Sequence, residues 1–205
     1  MNLAGTVRDR VMETSVGYRL WQAPFADQKL APVMRDTDLR EVGRVLDLAC
    51  GPGTNAQQFA AASYTGVDIN PAYIARARSR YNGRFLVADA TAANLLPDER
   101  FDFILLNSFL HHLPNAGVRT ALAHVSELLS DDGRVHVLDL VLPARRNVAR
   151  LLARADRGDY ARPLAEWRAL LERFFEPVLF EPFALTLAGV PLWQMFHFKG
   201  RRRQR

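Results

Sequence analysis

The chain has few of the residues that staple or anchor a protein. Cys50 is its single cysteine in 205 residues, so neither an intrachain disulfide nor a cysteine metal cluster can form, and no metal is expected. A reducing, cytoplasmic setting fits that usage and is the expected location. No apolar run approaches the roughly 18 residues of a membrane helix. Trp193 to His197 is apolar but far too short. Met1 to Arg10 has no apolar core of the kind a secretory signal carries. Lysine is scarce as well: Lys29 and Lys199 are the two lysines among 27 cationic residues. That scarcity reads as a coding bias and not as a site.

The formal net charge of +5 is unevenly placed. Lys199, Arg201, Arg202, Arg203 and Arg205 supply it, leaving 22 cations against 22 anions in the rest of the chain. The basic pI of about 9.9 is therefore a property of residues 199–205. Such a tail can touch RNA, acidic headgroups or an acidic partner; the plainer expectation is a solvated, frayed terminus. The neutral body argues against a broad nucleic-acid footprint. With 49% apolar and 24% charged residues, the composition suits one globular domain, as a monomer or a homodimer.

Residues 1–43 read as helical, and after them strands and helices alternate. Arg44 to Leu48 reads as a buried strand, followed by Gly51-Pro52-Gly53 and a helix over about Thr54 to Ala62. Tyr64 to Ile69 is a second strand, and Pro71 opens a helix that Ala72 to Tyr81 continues. Arg84 to Ala88 and Phe101 to Leu106 are the third and fourth strands. Asn115 is placed to cap a helix reaching Leu129, with apolar residues at a 3.6-residue period. Arg134 to Val141 is the fifth strand. A basic amphipathic stretch from Arg145 to Asp156, a helix from Pro163 to Phe174 and two late strands follow. Those strands, near Val178 to Leu187 and Leu192 to Lys199, form an antiparallel pair if Gly189-Val190-Pro191 is a turn. Near-continuous apolar strands alternating with helices predict a parallel sheet covered on both faces.

A glycine turn between a strand and a helix brings backbone close to a ligand without a Cβ in the way. In open α/β sheets that ligand lies beyond the carboxyl ends of the strands. Three acidic residues mark three successive strand ends: Asp47, Asp68 and Asp89. A carboxylate at Asp68 can accept both ribose hydroxyls of an adenosine, a device dinucleotide enzymes share. Asp89 with the Ala90 N–H suits the donor and acceptor edge of adenine. The plainer role for each acid is a helix cap or turn carboxylate. No Gly-Lys-Ser/Thr follows the loop, which excludes a Walker phosphate loop. Ala56 stands where a dinucleotide fingerprint has its third glycine, so a dinucleotide remains open on spacing alone.

Several segments, in order and spacing over roughly residues 43–141, resemble the motifs of class I S-adenosylmethionine-dependent methyltransferases. They are Val45 to Thr54 around Asp47-Leu48-Ala49-Cys50-Gly51-Pro52-Gly53, then Gly66-Val67-Asp68-Ile69-Asn70, Val87-Ala88-Asp89-Ala90, Phe101 to Leu113, and Leu129 to Arg134. The resemblance is to the small-molecule members. It implies a Rossmann-like, seven-stranded, mostly parallel sheet with the last strand antiparallel and helices on both faces. It divides the chain into a helical lid at 1–43, a cofactor-binding domain at 44–199 and a basic tail at 200–205. It implies that Asp47 and the Ala49, Gly51 and Gly53 backbone face the methionine part of S-adenosylmethionine. Asp68 and Ile69 would take the ribose side, Asp89 and Ala90 the adenine, and Asn107 the methyl sulfonium.

Methyl transfer is an in-line displacement that needs alignment in a dry pocket, and a base only where the acceptor must lose a proton. His111 and His112 follow the fourth strand and are the base candidates, although such a pair more often packs or caps. His124 and His136 read as structural. Trp21, in a lid segment Tyr18 to Phe25 that either covers the ligand or packs on the core, is expected at the acceptor with Asp139 and parts of 143–175. Residues 107–110, Asn-Ser-Phe-Leu, lack the Pro-Pro-aromatic pattern of base-amino methylases, and Cys50 lies inside the loop as a packing residue. The expected acceptor is a small or lipid-like metabolite, methylated at oxygen more than at nitrogen or carbon, with S-adenosylhomocysteine as product. The alternatives are an RNA methylase using the arginine tail, a non-catalytic cofactor-binding protein, and, more distantly, a dinucleotide oxidoreductase.

Overall fold

The computed structural model describes residues 25–92, 95–145, 148–155 and 159–203. Trp21 and most of the proposed lid lie outside the described residues. The elements run α1 (Ala26–Asp36), β1 (Arg44–Leu48), β2 (Ser63–Asp68), α2 (Pro71–Arg78), β3 (Arg84–Val87) and β4 (Phe101–Asn107). They continue with α3 (Asn115–Leu128), β5 (Leu129–Leu140), α4 (Val148–Ala155), α5 (Leu164–Leu171), β6 (Phe175–Leu187) and β7 (Val190–Arg202). Single 3₁₀ segments cover Thr54–Phe59 and Leu110–His112. The first replaces the helix expected over Thr54 to Ala62.

The strands form one seven-stranded sheet in the order β3-β2-β1-β4-β5-β7-β6. β1 to β5 pair in parallel, and β7 is antiparallel to both of its neighbours, β5 and β6. This is the expected Rossmann-like arrangement with the last strand inserted backwards. Order reverses on either side of β1 and β4, which places the ligand crevice of such a sheet above their carboxyl ends.

Alternate side chains of the central strands enter opposite layers, as the pleat requires. Leu46, Leu48, Ile104 and Leu106 join Val118, Leu122, Val125 and Trp167 from α3 and α5. Val45, Phe103 and Leu105 join Leu30 and Val33 of α1, Phe59, and Ile74 and Ala77 of α2. With both faces covered, the strands read as continuous apolar runs. On the α1 side His136 stacks between Phe103, 4.4 Å away, and His197, 5.3 Å away. Burial pushes both histidines below their ordinary pKa, so they are neutral fillers of the layer.

Local chemistry explains the element ends. Asn70 caps α2 by accepting the Ala72 and Tyr73 N–H groups, and Pro71 sits at the first helical position. At α3 the expected cap moves by one residue: Pro114 is the N-cap, and Asn115 Oδ1 instead accepts Arg162 Nε at 2.8 Å. The late hairpin turns on Ala188 and Gly189, both left-handed with φ 48° and 78°, which matches the twist of the flanking strands. It closes one residue earlier than expected, and Pro191 pairs with Thr186 inside the ladder. Phe25, the one lid aromatic described, packs edge-on against Trp193 at 5.1 Å.

Through Arg202 the basic tail is a strand and not a frayed end. β7 continues through Arg202, with Gly200, Arg201 and Arg202 opposite Pro177, Glu176 and Phe175 of β6. Arg201 pairs with Glu176 at 2.7 Å. Arg202 donates to the Ser126 and Glu127 carbonyls at 3.1 Å each, and to Leu129 O. Those are carbonyls left open where α3 ends, and the last turn of α3 has no basic residue of its own. Residues 200–202 thus belong to the sheet, and the Arg202 side chain completes the end of α3. Arg202→Met is expected to lower stability by about 1 kcal/mol in urea unfolding; an unchanged midpoint would show that water replaces the guanidinium at no cost.

Candidate active site

At the end of β1 the chain turns sharply through Ala49, Cys50 and Gly51, with Ala49 and Gly51 at φ 63° and 56°. The Cys50 N–H donates to Val67 O at 2.9 Å, and the Gly51 N–H donates to Asp68 Oδ2 at 2.8 Å. Both bonds tie the loop to β2. The other Asp68 oxygen, Oδ1, accepts the Asn70 N–H at 2.8 Å. Gly53, at φ 79°, leaves no room for a side chain, since a Cβ would lie 2.8 Å from Ala77 Cβ and 3.1 Å from Phe85 and Tyr81. It packs the loop closely on α2 and β3 and does not line the cavity above the strand ends.

Above the carboxyl ends of β1 to β4 lies a cavity of about 1310 Å³. Ala49, Gly51, Asp68 and Ile69 line one part of it, and Asp89, Ala90, Asn107 and His112 line the rest of the expected set. Ile69 is 67% exposed, a large apolar side chain presented to the cavity at the end of β2. Asp89 accepts both the N–H and the hydroxyl of Thr91 on Oδ1, which holds its pKa below the usual range. Asn107 Oδ1 accepts the Ser108 hydroxyl at 3.1 Å.

Asp47, Gly53, His111 and Asp139 do not line the cavity. Asp47 is fully buried beneath the loop and accepts Tyr64 OH at 2.6 Å and Asn55 Nδ2 at 3.0 Å. Its Oδ1 is buried without a partner. Burial raises its pKa to about 6, against the lowering effect of the two donors. Asn55 does line the cavity, so Asp47 acts on it through that amide.

Asp139 was expected to face the acceptor, and it faces the protein instead. One oxygen accepts the Leu110 N–H at 2.7 Å, and the other meets His111 Nδ1 and the Leu140 N–H at 2.6 Å each. Burial works to raise its pKa, but His111 and the two N–H groups outweigh that and hold it below the ordinary carboxylate range. His111 is buried in this arrangement; His112 is exposed, and its ring centroid lies 4.2 Å from that of His111. Of the two base candidates, only His112 reaches the cavity.

Sequence reading missed Lys29 and Ser108. Lys29 Nζ donates to Ser108 Oγ at 2.9 Å, and both line the cavity. No local motif marks Lys29, since α1 meets β4 only in the folded chain. Tyr64 and Asn55, the partners of Asp47, were also unmarked.

The sheet order and the crevice above β1 to β4 define the class I methyltransferase fold. Residues 45–133 match the family model described as a methyltransferase domain. The trans-aconitate 2-methyltransferase of Escherichia coli O7:K1 is 34% identical over 117 residues, covering 53% of this chain and 45% of that protein. The chain thus matches about half the length of its curated relatives. Among solved structures, the N-methyltransferase NodS from Bradyrhizobium japonicum, in complex with S-adenosylhomocysteine, superposes with a TM-score of 0.74 at 18% identity. That match covers 97% of this chain and 98% of NodS. The 1,6-didemethyltoxoflavin-N1-methyltransferase of Burkholderia thailandensis gives 0.73 at 23% identity, covering 98% and 89%. At these identities the two structures share the fold.

The Asp47 environment sets a pH dependence. An acid whose pKa rises from 3.8 to about 6 on folding binds its proton more tightly in the native state. Its stabilising contribution is present at low pH and lost as pH climbs through about 6. The stability of the wild type minus that of Asp47→Asn is therefore expected to fall between about pH 4 and about pH 6 and then level off. Urea titrations across that window check it, and a difference that rises with pH would contradict the buried, proton-retaining state.

Proposed function

We propose that the chain transfers a methyl group from S-adenosylmethionine to a small organic acceptor, with S-adenosylhomocysteine as product. One observation carries this reading. The glycine loop, Asp68, Ile69, Asp89, Ala90 and Asn107 come from four separate strand ends and border one cavity. The residues fit the cofactor chemically. An ionised carboxylate offers about four lone-pair sites. Asp68 uses one on each oxygen for backbone, so acceptor capacity remains for ribose hydroxyls. Exposed Ile69 supplies apolar cover for an adenine ring, and Asp89 and Ala90 supply its polar edge. The Ala49 and Gly51 backbone would face the aminoacyl end, and Asn107 the sulfonium.

S-adenosylmethionine, when bound, supplies a methyl carbon already activated by the sulfonium charge. The chain's task is alignment and exclusion of water. His112 would accept a proton from a hydroxyl or amine acceptor, whereas His111 holds the loop on Asp139. A carboxylate acceptor needs no base, and the E. coli relative is named for an acid, trans-aconitate. This favours oxygen methylation of a small acid over a lipid-like acceptor. The engagement of Arg201 and Arg202 within the fold favours a small acceptor over RNA.

Calorimetry should show S-adenosylhomocysteine binding and no comparable affinity for NAD; tighter NAD binding would sink the proposal. Asp68→Ala should weaken S-adenosylhomocysteine binding by about 1–3 kcal/mol, and wild-type affinity in that variant would refute the ribose role. With an acceptor in hand, His111→Gln is expected to cost stability, and His112→Gln to lower turnover only toward acceptors that must lose a proton. Loss of turnover toward carboxylates in His112→Gln would contradict the role given to it.

A further inference from the structure

The cavity wall around β4 is held in two different ways. Asn107 is the last residue of β4 itself, and the Ser108 N–H donates to Leu138 O of β5 at 2.7 Å. Leu110 to Leu113 lie past the strand, where side chains do the holding. Asp139 takes the Leu110 N–H and meets His111 Nδ1. The carbonyls of the same turn are taken by residues 160–162. Arg162 Nη2 donates to Leu113 O at 2.7 Å, and Nη1 reaches Leu110 O at 3.5 Å. The Tyr160 N–H donates to His111 O at 3.0 Å, and Tyr160 O accepts Arg162 Nη1 at 2.8 Å. His112, which lines the cavity, stands between the two carbonyls that the guanidinium grips.

Arg162 is itself firmly placed. It is 4% exposed, its carbonyl accepts the Leu142 N–H at 2.8 Å, and its Nε donates to Asn115 Oδ1 at 2.8 Å. The guanidinium lies 4.7 Å from the ring centroid of Trp167, whose Nε1–H donates to Leu140 O at 2.9 Å. Glu166, on the first turn of α5, approaches Nε at 3.5 Å. One side chain thus joins the end of β5 and the starts of α3 and α5 to the turn after β4. Diverging bonds to Leu113, Tyr160 and Asn115 suit a planar group with five N–H donors, and a lysine ammonium cannot span them. We infer that Arg162 is a positioning residue, which fixes where His112 stands in the cavity while the sheet holds Asn107 without it. The inference rests on the proposed methyl transfer, with His112 as proton acceptor.

The test compares wild type with Arg162→Ala and Arg162→Lys, each first checked for folding by thermal unfolding. Three quantities are read. They are the calorimetric affinity for S-adenosylhomocysteine, the nuclear Overhauser contact between the His111 and His112 rings, 4.2 Å apart, and methyl transfer to a panel of phenols and aliphatic carboxylates. In Arg162→Ala the affinity holds and the ring contact is lost. Turnover toward phenols, which must lose a proton, falls by roughly 10- to 100-fold, and turnover toward carboxylates is unchanged. Ethylguanidinium, at concentrations that leave the wild type folded, restores the ring contact and phenol turnover, whereas equal potassium chloride does not. Arg162→Lys, reaching one carbonyl, keeps part of both, and it decides the question if Arg162→Ala does not fold. A ring contact that survives in every folded variant overturns the inference, as does an equal loss toward phenols and carboxylates or a matching loss of S-adenosylhomocysteine affinity. A wild type that methylates neither class counts against the proposed function instead, and the ring contact still decides the role of Arg162.

Discussion

The carboxylate of Asp68 holds the site together. One oxygen takes the Gly51 N–H and the other the Asn70 N–H, so one side chain fixes the loop after β1 and the turn into α2. Among the described residues, the left-handed backbone at Ala49 and Gly51 would otherwise be tied to β2 by the Cys50 N–H bond to Val67 alone. A loop held this way is in place before a ligand arrives, which lowers the ordering cost of binding. The same carboxylate keeps lone pairs beyond these two bonds, so positioning the loop leaves acceptor capacity at the cavity.

A second carboxylate does the equivalent work on the other side of the crevice. Asp139 collects the Leu110 N–H, the Leu140 N–H and His111, and so fixes the short 3₁₀ turn that carries His112 to the cavity. Leaving any of those donors unpaired in a buried site would cost about 1–3 kcal/mol. The two carboxylates therefore frame the β4 end from opposite sides, and Lys29 approaches it from α1.

Much of the fold was legible because its signals are local. Apolar strands, Gly51-Pro52-Gly53, Asn70-Pro71 and the periodic helix α3 each lie within a few residues, and their order alone implies a parallel sheet. The strand-end acids Asp68 and Asp89 were readable for the same reason. The misreadings come from information that is not local. Which way Asp139 points depends on strand parity: it shares a face with Val135 and Val137, which pack toward α3 and α5. Asp47 shares its face with Val45, in the layer of Phe59 and Tyr64, and is buried there. Arg202 looked like part of a solvated tail because its partners, the carbonyls closing α3, lie more than 70 residues earlier in the chain. Lys29 is separated from Ser108 by 79 residues, and only the docking of α1 on the sheet brings them together.

The central claim is that one crevice above β1 to β4 holds S-adenosylmethionine with its methyl group directed toward the Asn107, Ser108 and His112 wall. A crystal structure with S-adenosylhomocysteine tests it most directly. The expected result is ribose hydroxyls on Asp68, adenine between Ile69 and Ala90, and sulfur facing Asn107. Density for the ligand elsewhere, or in this crevice with adenine at the β4 end, would contradict it.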